Sequence, residues 1–110
     1  LRGDKLNALC QYFASMDGEG VSGIRMKFQQ KKAFDITVNN EPLDLAKIYT
    51  VATNDYLAAG NDKMTMLAQN EKRENTNIKV RDMFLNYITT ETAKGNLIQS
   101  QLDGRIQIIP

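Results

Sequence analysis

Histidine is absent from all 110 residues. That single absence excludes serine–histidine and cysteine–histidine nucleophile pairs, histidine general bases and histidine-ligated metal centres. Cysteine occurs once, as Cys10, so no internal disulfide can form and the redox compartment is not marked. No apolar run approaches the roughly 20 residues needed to span a bilayer, and no signal peptide is visible. The first residue is Leu1 and not methionine, in keeping with an internal fragment of a longer chain. A charge excess is also missing. Fourteen Lys and Arg against 13 Asp and Glu leave a net charge of +1, with no general pull towards nucleic acid or an acidic membrane surface. Internal repeats and low-complexity tracts are lacking too.

Apolar residues at 42% and charged residues at 25% are ordinary for a globular domain, and the length suits one domain, 1–110, with a single core. The stretch from Ile48 to Leu67 organises the reading. Ile48, Tyr49, Thr50, Val51, Ala52 and Thr53 are mostly β-formers, which predicts a strand near the middle of a sheet. Asn54 and Asp55 end that strand. Tyr56-Leu57 follows, then Ala58-Ala59-Gly60-Asn61-Asp62, small and permissive before it turns acidic. Gly60 and Asn61 tolerate positive φ, which lets backbone approach a ligand closely. An aromatic, a tight turn and a carboxylate at a strand end make a ligand-binding edge. Tyr56 can equally be a core tyrosine with a satisfied hydroxyl, and the turn only a turn.

Upstream, Leu1 to Met16 reads as a helix with Asp4 as N-cap and Leu6, Leu9, Cys10 and Phe13 on one face. Cys10 on that face is a small core residue, since no neighbouring cation is evident to activate its thiol. Asp17-Gly18-Glu19-Gly20 is a flexible turn. Val21 to Gln29 alternates with Ile24, Met26 and Phe28 on one side, and Phe34, Ile36 and Val38 repeat the pattern after a Gln30–Ala33 turn, which predicts a hairpin. Arg25, Lys27, Lys31 and Lys32 give it a basic, solvated face. Asn39-Asn40 suits a tight turn closed by Pro42, and Asp44-Leu45-Ala46-Lys47 one capped helical turn.

Downstream, Met64, Met66 and Leu67 suit a short helix or covering loop, and 69–77 a polar surface loop. The strongest helix is Ile78 to Lys94. Its stripe of Val80, Met83, Phe84, Tyr87 and Ile88 reads as core packing, and Lys94-Gly95 as its stop. Asp103-Gly104 is a hairpin signal before a last strand, Arg105 to Ile109. The fold expected is α+β: two amphipathic helices packed on a mixed, mostly antiparallel sheet of about four or five strands.

Glu-Pro-Leu-Asp at 41–44, Lys47, Tyr49, Val51 to Gly60 and Asp62 resemble the C-terminal domain of the 5′-nucleotidase family. Gly-Val-Ser-Gly-Ile-Arg at 20–25 and Asp103-Gly104-Arg105-Ile106 resemble the same family at matching distances. The resemblance implies an α+β domain that binds the nucleoside part of a nucleotide, while a separate metallophosphatase domain hydrolyses the ester. It implies an aromatic stacking on the base at Tyr56 and a polar contact at Asp62, with Gly60, Asn61 and Gly18 as further substrate-binding positions. Where the family reads Gly-Gly-Asp-Gly and an aromatic, this chain reads Gly60-Asn61-Asp62-Lys63-Met64. The family domain extends further at its N-terminus, so 1–110 resembles its C-terminal two-thirds.

By that resemblance the partners are a nucleoside or nucleotide and a metallophosphatase domain or chain. No cofactor is expected in this chain, and a divalent metal pair only on the phosphatase domain. The setting implied is periplasmic, secreted or surface-anchored. Two functions follow: a nucleoside-recognition module, catalytically inert by itself, or a structural or interaction module that has lost its pocket. A homodimer is a further expectation, because strand material missing before Leu1 would leave an open edge beside Tyr49–Thr53.

Overall fold

In the computed structural model, which describes residues 1–110, the first helical stripe folds as its spacing requires. Helix α1 spans Gly3–Ser15, and Leu6, Leu9, Cys10 and Phe13 are all buried, joined by Ala14. Asp4 is not its N-cap, however. The cap position is Arg2, whose side chain makes no capping bond. The first amides of a helix have no intrahelical partner, and here backbone from a distant segment supplies one. Gly3 N–H donates to the Lys47 carbonyl at 2.8 Å and Asp4 N–H to that of Leu45 at 2.9 Å. Asp4 remains in the first turn, where a carboxylate suits the helix dipole. At the other end the Asp17 and Gly18 amides bond the Ala14 and Phe13 carbonyls, with Asp17 left-handed at φ +63°, a Schellman termination.

Strands β1 (Ile24–Gln29) and β2 (Lys32–Val38) form the expected hairpin. Its loop is only Gln30-Lys31, both left-handed, shorter than the four residues expected. Asn39-Asn40 makes a second tight turn, at φ +50° and +67°, into β3 (Glu41–Pro42). The last strand, β4 (Ile106–Ile108), pairs parallel with β1, so the sheet runs β3-β2-β1-β4 and is mixed but mostly antiparallel. With α1 packed on β1 and β2, this is the α+β arrangement the patterns imply. Asp103-Gly104 is therefore not a hairpin turn, since parallel neighbours need a long crossover.

Phe34 departs from the expected alternation. Between the pairs Arg25–Thr37 and Lys27–Phe34, the single residue Met26 faces two, Asp35 and Ile36. Asp35 is the extra residue of this bulge, at φ +49°. The slip turns Ala33 inward and leaves Phe34 exposed, while Ile36 and Val38 still pack on the core. Gln11 fits the space over Ala33. Its amide accepts from the Ala33 N–H at 2.9 Å and donates to the Ala33 carbonyl at 2.8 Å, acting as a one-residue strand neighbour.

The larger correction concerns Ile48–Thr53, which is not a central strand. Ile48 makes an isolated bridge with Arg2, and residues 49–53 belong to no ladder. The run pairs with the chain's first residues instead: Tyr49 N–H donates to the Leu1 carbonyl at 2.8 Å, and the Leu1 amine to that of Tyr49 at 2.7 Å. Only Tyr49 packs on the core; Ile48 and Val51 are exposed. The open edge expected beside Tyr49–Thr53 thus does not exist in this sheet. Nor is Asp44–Lys47 a helical turn. It is a single turn closed by Lys47 N–H on the Asp44 carbonyl, with Asp44 Oδ1 accepting from Ala46 N–H.

The basic hairpin is locally balanced: Lys27 pairs with Asp35 at 3.2 Å, and Lys31 with Asp17. Both pairs are exposed and contribute little stability.

These elements, with α2 (Asp55–Ala58) and α3 (Thr65–Ala68), form one compact unit, Leu1–Arg73 with Gly104–Pro110. The second unit, Glu74–Asp103, contains α4 (Val80–Ala93). Gly95 supplies the stop, its amide bonding the Thr92 carbonyl while that of Asn96 bonds Glu91's. The stripe expected as core packing is exposed instead, at Val80, Met83, Phe84, Tyr87 and Ile88.

Cys10 is fully enclosed, and burial pushes its thiol from the ordinary 9.0 up to about 12. In the native state it should not react with a thiol reagent at pH 8, and should react at once in denaturant. The sign of its pH linkage follows. Below pH 9.0 the thiol is protonated in both states and costs nothing. Between 9.0 and about 12 only the unfolded chain ionises, so stability falls as pH rises through that window. A Cys10→Ser comparison by denaturant titration at pH 8 and pH 10.5 checks this: an unchanged gap between the two proteins would contradict it.

Candidate functional site

Of the residues expected to bind substrate, all but Gly18 sit on or just after the one-turn helix α2, before α3. Asn54 ends no strand. Its Oδ1 accepts from Leu57 N–H at 2.8 Å, making it the N-cap of α2. Tyr56 lies in the first turn of that helix and is 55% exposed. This settles the choice between a core tyrosine and an outward one, in favour of the second.

Gly60 ends α2 at φ +89°, and a Cβ there would meet Ala68 Cβ at 3.2 Å and Thr65 Cα at 3.4 Å. Glycine therefore serves both the left-handed backbone and the close approach of α3. Asn61 does not take the positive φ expected of it; Asp62 and Lys63 do, at +55° and +61°. Asn61 instead donates from Nδ2 to the Tyr56 carbonyl at 2.8 Å, and its own carbonyl accepts from Met64 N–H at 3.1 Å. Asn61 to Met64 is thus a tight turn with two left-handed central residues, neither of them glycine.

The turn brings Asp62 back to Tyr56. The tyrosine hydroxyl lies 3.4 Å from Asp62 Oδ1, a long hydrogen bond between exposed groups. Tyr56, Gly60, Asn61 and Asp62 therefore form one bonded loop. Gly18 lies in the turn after α1 and bonds there to Phe13.

Three contributors were not among the expected site residues. Tyr12 on α1 donates its hydroxyl to the Asp62 carbonyl at 3.0 Å. Met64, where the family pattern has an aromatic, is buried with Leu67 against α1. Asn54 was readable, since Asn three residues before Leu57 is an N-cap signature. Nothing local marks Tyr12, which flanks the apolar stripe of α1.

The chemistry available is contact chemistry: a ring face, a carboxylate and backbone groups. No group of three or more Cys, Asp or Glu side chains lies close enough to hold a metal ion, and no helix is long and apolar enough to cross a membrane.

An α+β unit that presents an aromatic and a carboxylate on a short interhelical loop is the class of module seen here. Its family is also shown. The model of the 5′-nucleotidase C-terminal domain matches residues 3–69, and the chain belongs to that family. The match runs from α1 through α3 and covers the whole loop. A comparison with curated proteins finds no match.

Proposed function

We propose that this chain is the nucleoside-recognition part of a 5′-nucleotidase, inert towards phosphate esters by itself. One observation carries the reading: the outward ring of Tyr56, held beside Asp62 on a bonded turn. A planar base stacked on that ring gains roughly 1–3 kcal/mol, and the Asp62 carboxylate can accept a hydrogen bond from a ribose hydroxyl or a base amine. In this reading metal-assisted attack on the phosphate belongs to a separate metallophosphatase domain, as the family resemblance implies. We infer from the family resemblance a setting in the periplasm, outside the cell or anchored at its surface.

The expected result is that Tyr56→Ala weakens adenosine binding by about 5- to 150-fold in calorimetry, the range given by the stacking energy. Equal affinity in the two proteins, or no binding by either, defeats the reading. The latter outcome is what an interaction module with a lost pocket would give.

A further inference from the structure

We propose that Tyr12 is the positioning residue of this loop, its hydroxyl fixing Asp62 beside Tyr56 from fifty residues away in the chain. The proposal rests on the nucleoside reading of Tyr56 and Asp62 given above. Asp62 and Lys63 are consecutive left-handed residues with side chains, a backbone state that β-carbon crowding disfavours. Such a turn persists only when its surroundings hold it. Two of its bonds, Asn61 Nδ2 to the Tyr56 carbonyl and Met64 N–H to the Asn61 carbonyl, lie inside the loop and move with it. The Tyr12 bond comes from outside, from a helix whose apolar stripe is locked in the core and against which Tyr12 itself is partly buried.

It also grips the decisive group. The Asp62 carbonyl belongs to the central peptide of the turn, the plane that joins both left-handed residues. Fixing that plane fixes the Cα–Cβ direction of Asp62, and so where its carboxylate stands. The apolar anchors on either side, Leu57 and Met64, hold the ends of the loop and leave its tip to this bond.

Tyr12→Phe keeps the ring and removes only the hydroxyl. In the full chain, adenosine affinity should fall about three- to tenfold, the range of one hydrogen bond. Amide exchange at Met64 should quicken, while that at Leu9 in α1 and the thermal midpoint stay unchanged. In an Asp62→Gly background, which tolerates the backbone and lacks the carboxylate, Tyr12→Phe should cost no further affinity. Unchanged affinity overturns the proposal. So does weaker affinity with unchanged Met64 exchange, or a full additional loss in the Asp62→Gly background, since Tyr12 would then act by direct contact. If the wild type binds no adenosine, or Tyr56→Ala binds as well as it does, the nucleoside reading fails separately. Met64 exchange alone then decides: faster in Tyr12→Phe supports the positioning role, and equal removes it.

Discussion

Phe28→Ala is expected to cost the protein a large part of its stability, whereas Phe84→Ala should barely register. Phe28 is 2% exposed, in the middle strand pair, with Met26 beside it and α1 above. Emptying such a site removes the transfer energy of the ring and leaves a cavity, about 3–5 kcal/mol together. Single domains have only about 5–15 kcal/mol in all, so the loss is a large fraction of the total. Phe84 is equally large but 64% exposed on α4. Truncating it removes little buried area and leaves no cavity, and alanine is the better helix former; a change within roughly 0.5 kcal/mol follows. Urea titration of both variants by circular dichroism measures the contrast. A loss at Phe84 comparable to that at Phe28 would mean that the α4 stripe is buried in solution.

The second large effect comes from the smallest side chain. A Cβ on Gly3 would stand 1.9 Å from the Asp44 carbonyl oxygen and 2.8 Å from its carbon. Both are backbone atoms, so no rotamer change relieves the overlap, and the 44–48 segment must move. Moving it breaks the bonds that satisfy the first amides of α1, from Gly3 to Lys47 and from Asp4 to Leu45. The two costs act together, and Gly3→Ala should destabilise by on the order of 3 kcal/mol or more. Thermal unfolding gives the size. Faster exchange at the Asp4 and Tyr49 amides gives the location, because both bonds depend on that contact. A stable Gly3→Ala protein with normal exchange at these amides would show that the two segments do not touch.

The legible parts of the fold were those set by neighbours in sequence. The helices α1 and α4, the alternation in β1, the Asn39-Asn40 turn and the Gly95 stop each follow from residues a few positions apart. What was not legible depended on distant partners. The β-branched run at 48–53 has the composition of a strand, but composition records only that a residue suits a pleated, half-buried surface. Its partner proved to be Leu1 to Gly3, too short to build a ladder. Phe34 lost its inward place to one bulge residue, Asp35, and only the tolerance of aspartate for left-handed backbone hinted at it. At the candidate site, Tyr56, Gly60 and Asp62 could be named from motif and turn chemistry. Asn61's part as a bond donor and not a left-handed residue needed coordinates, as did the tie from Tyr12.

The parallel pairing of β4 with β1 sets the order in which this molecule can assemble. Met26 and Ile106 are register partners eighty residues apart (106 − 26), whereas β1, β2 and β3 are joined by two-residue turns. The hairpins can close on the microsecond scale of local structure. β4 must wait for a loop that contains the whole of Glu74–Asp103, at an entropic cost repaid by only three residues of ladder. Until it docks, the β1 amide of Met26 and the carbonyl of Phe28, which finally bond Arg105 and Ile109, stand open. A folding intermediate of this chain would therefore be recognisable by an unguarded β1, the strand that carries the two most deeply buried large side chains in the protein.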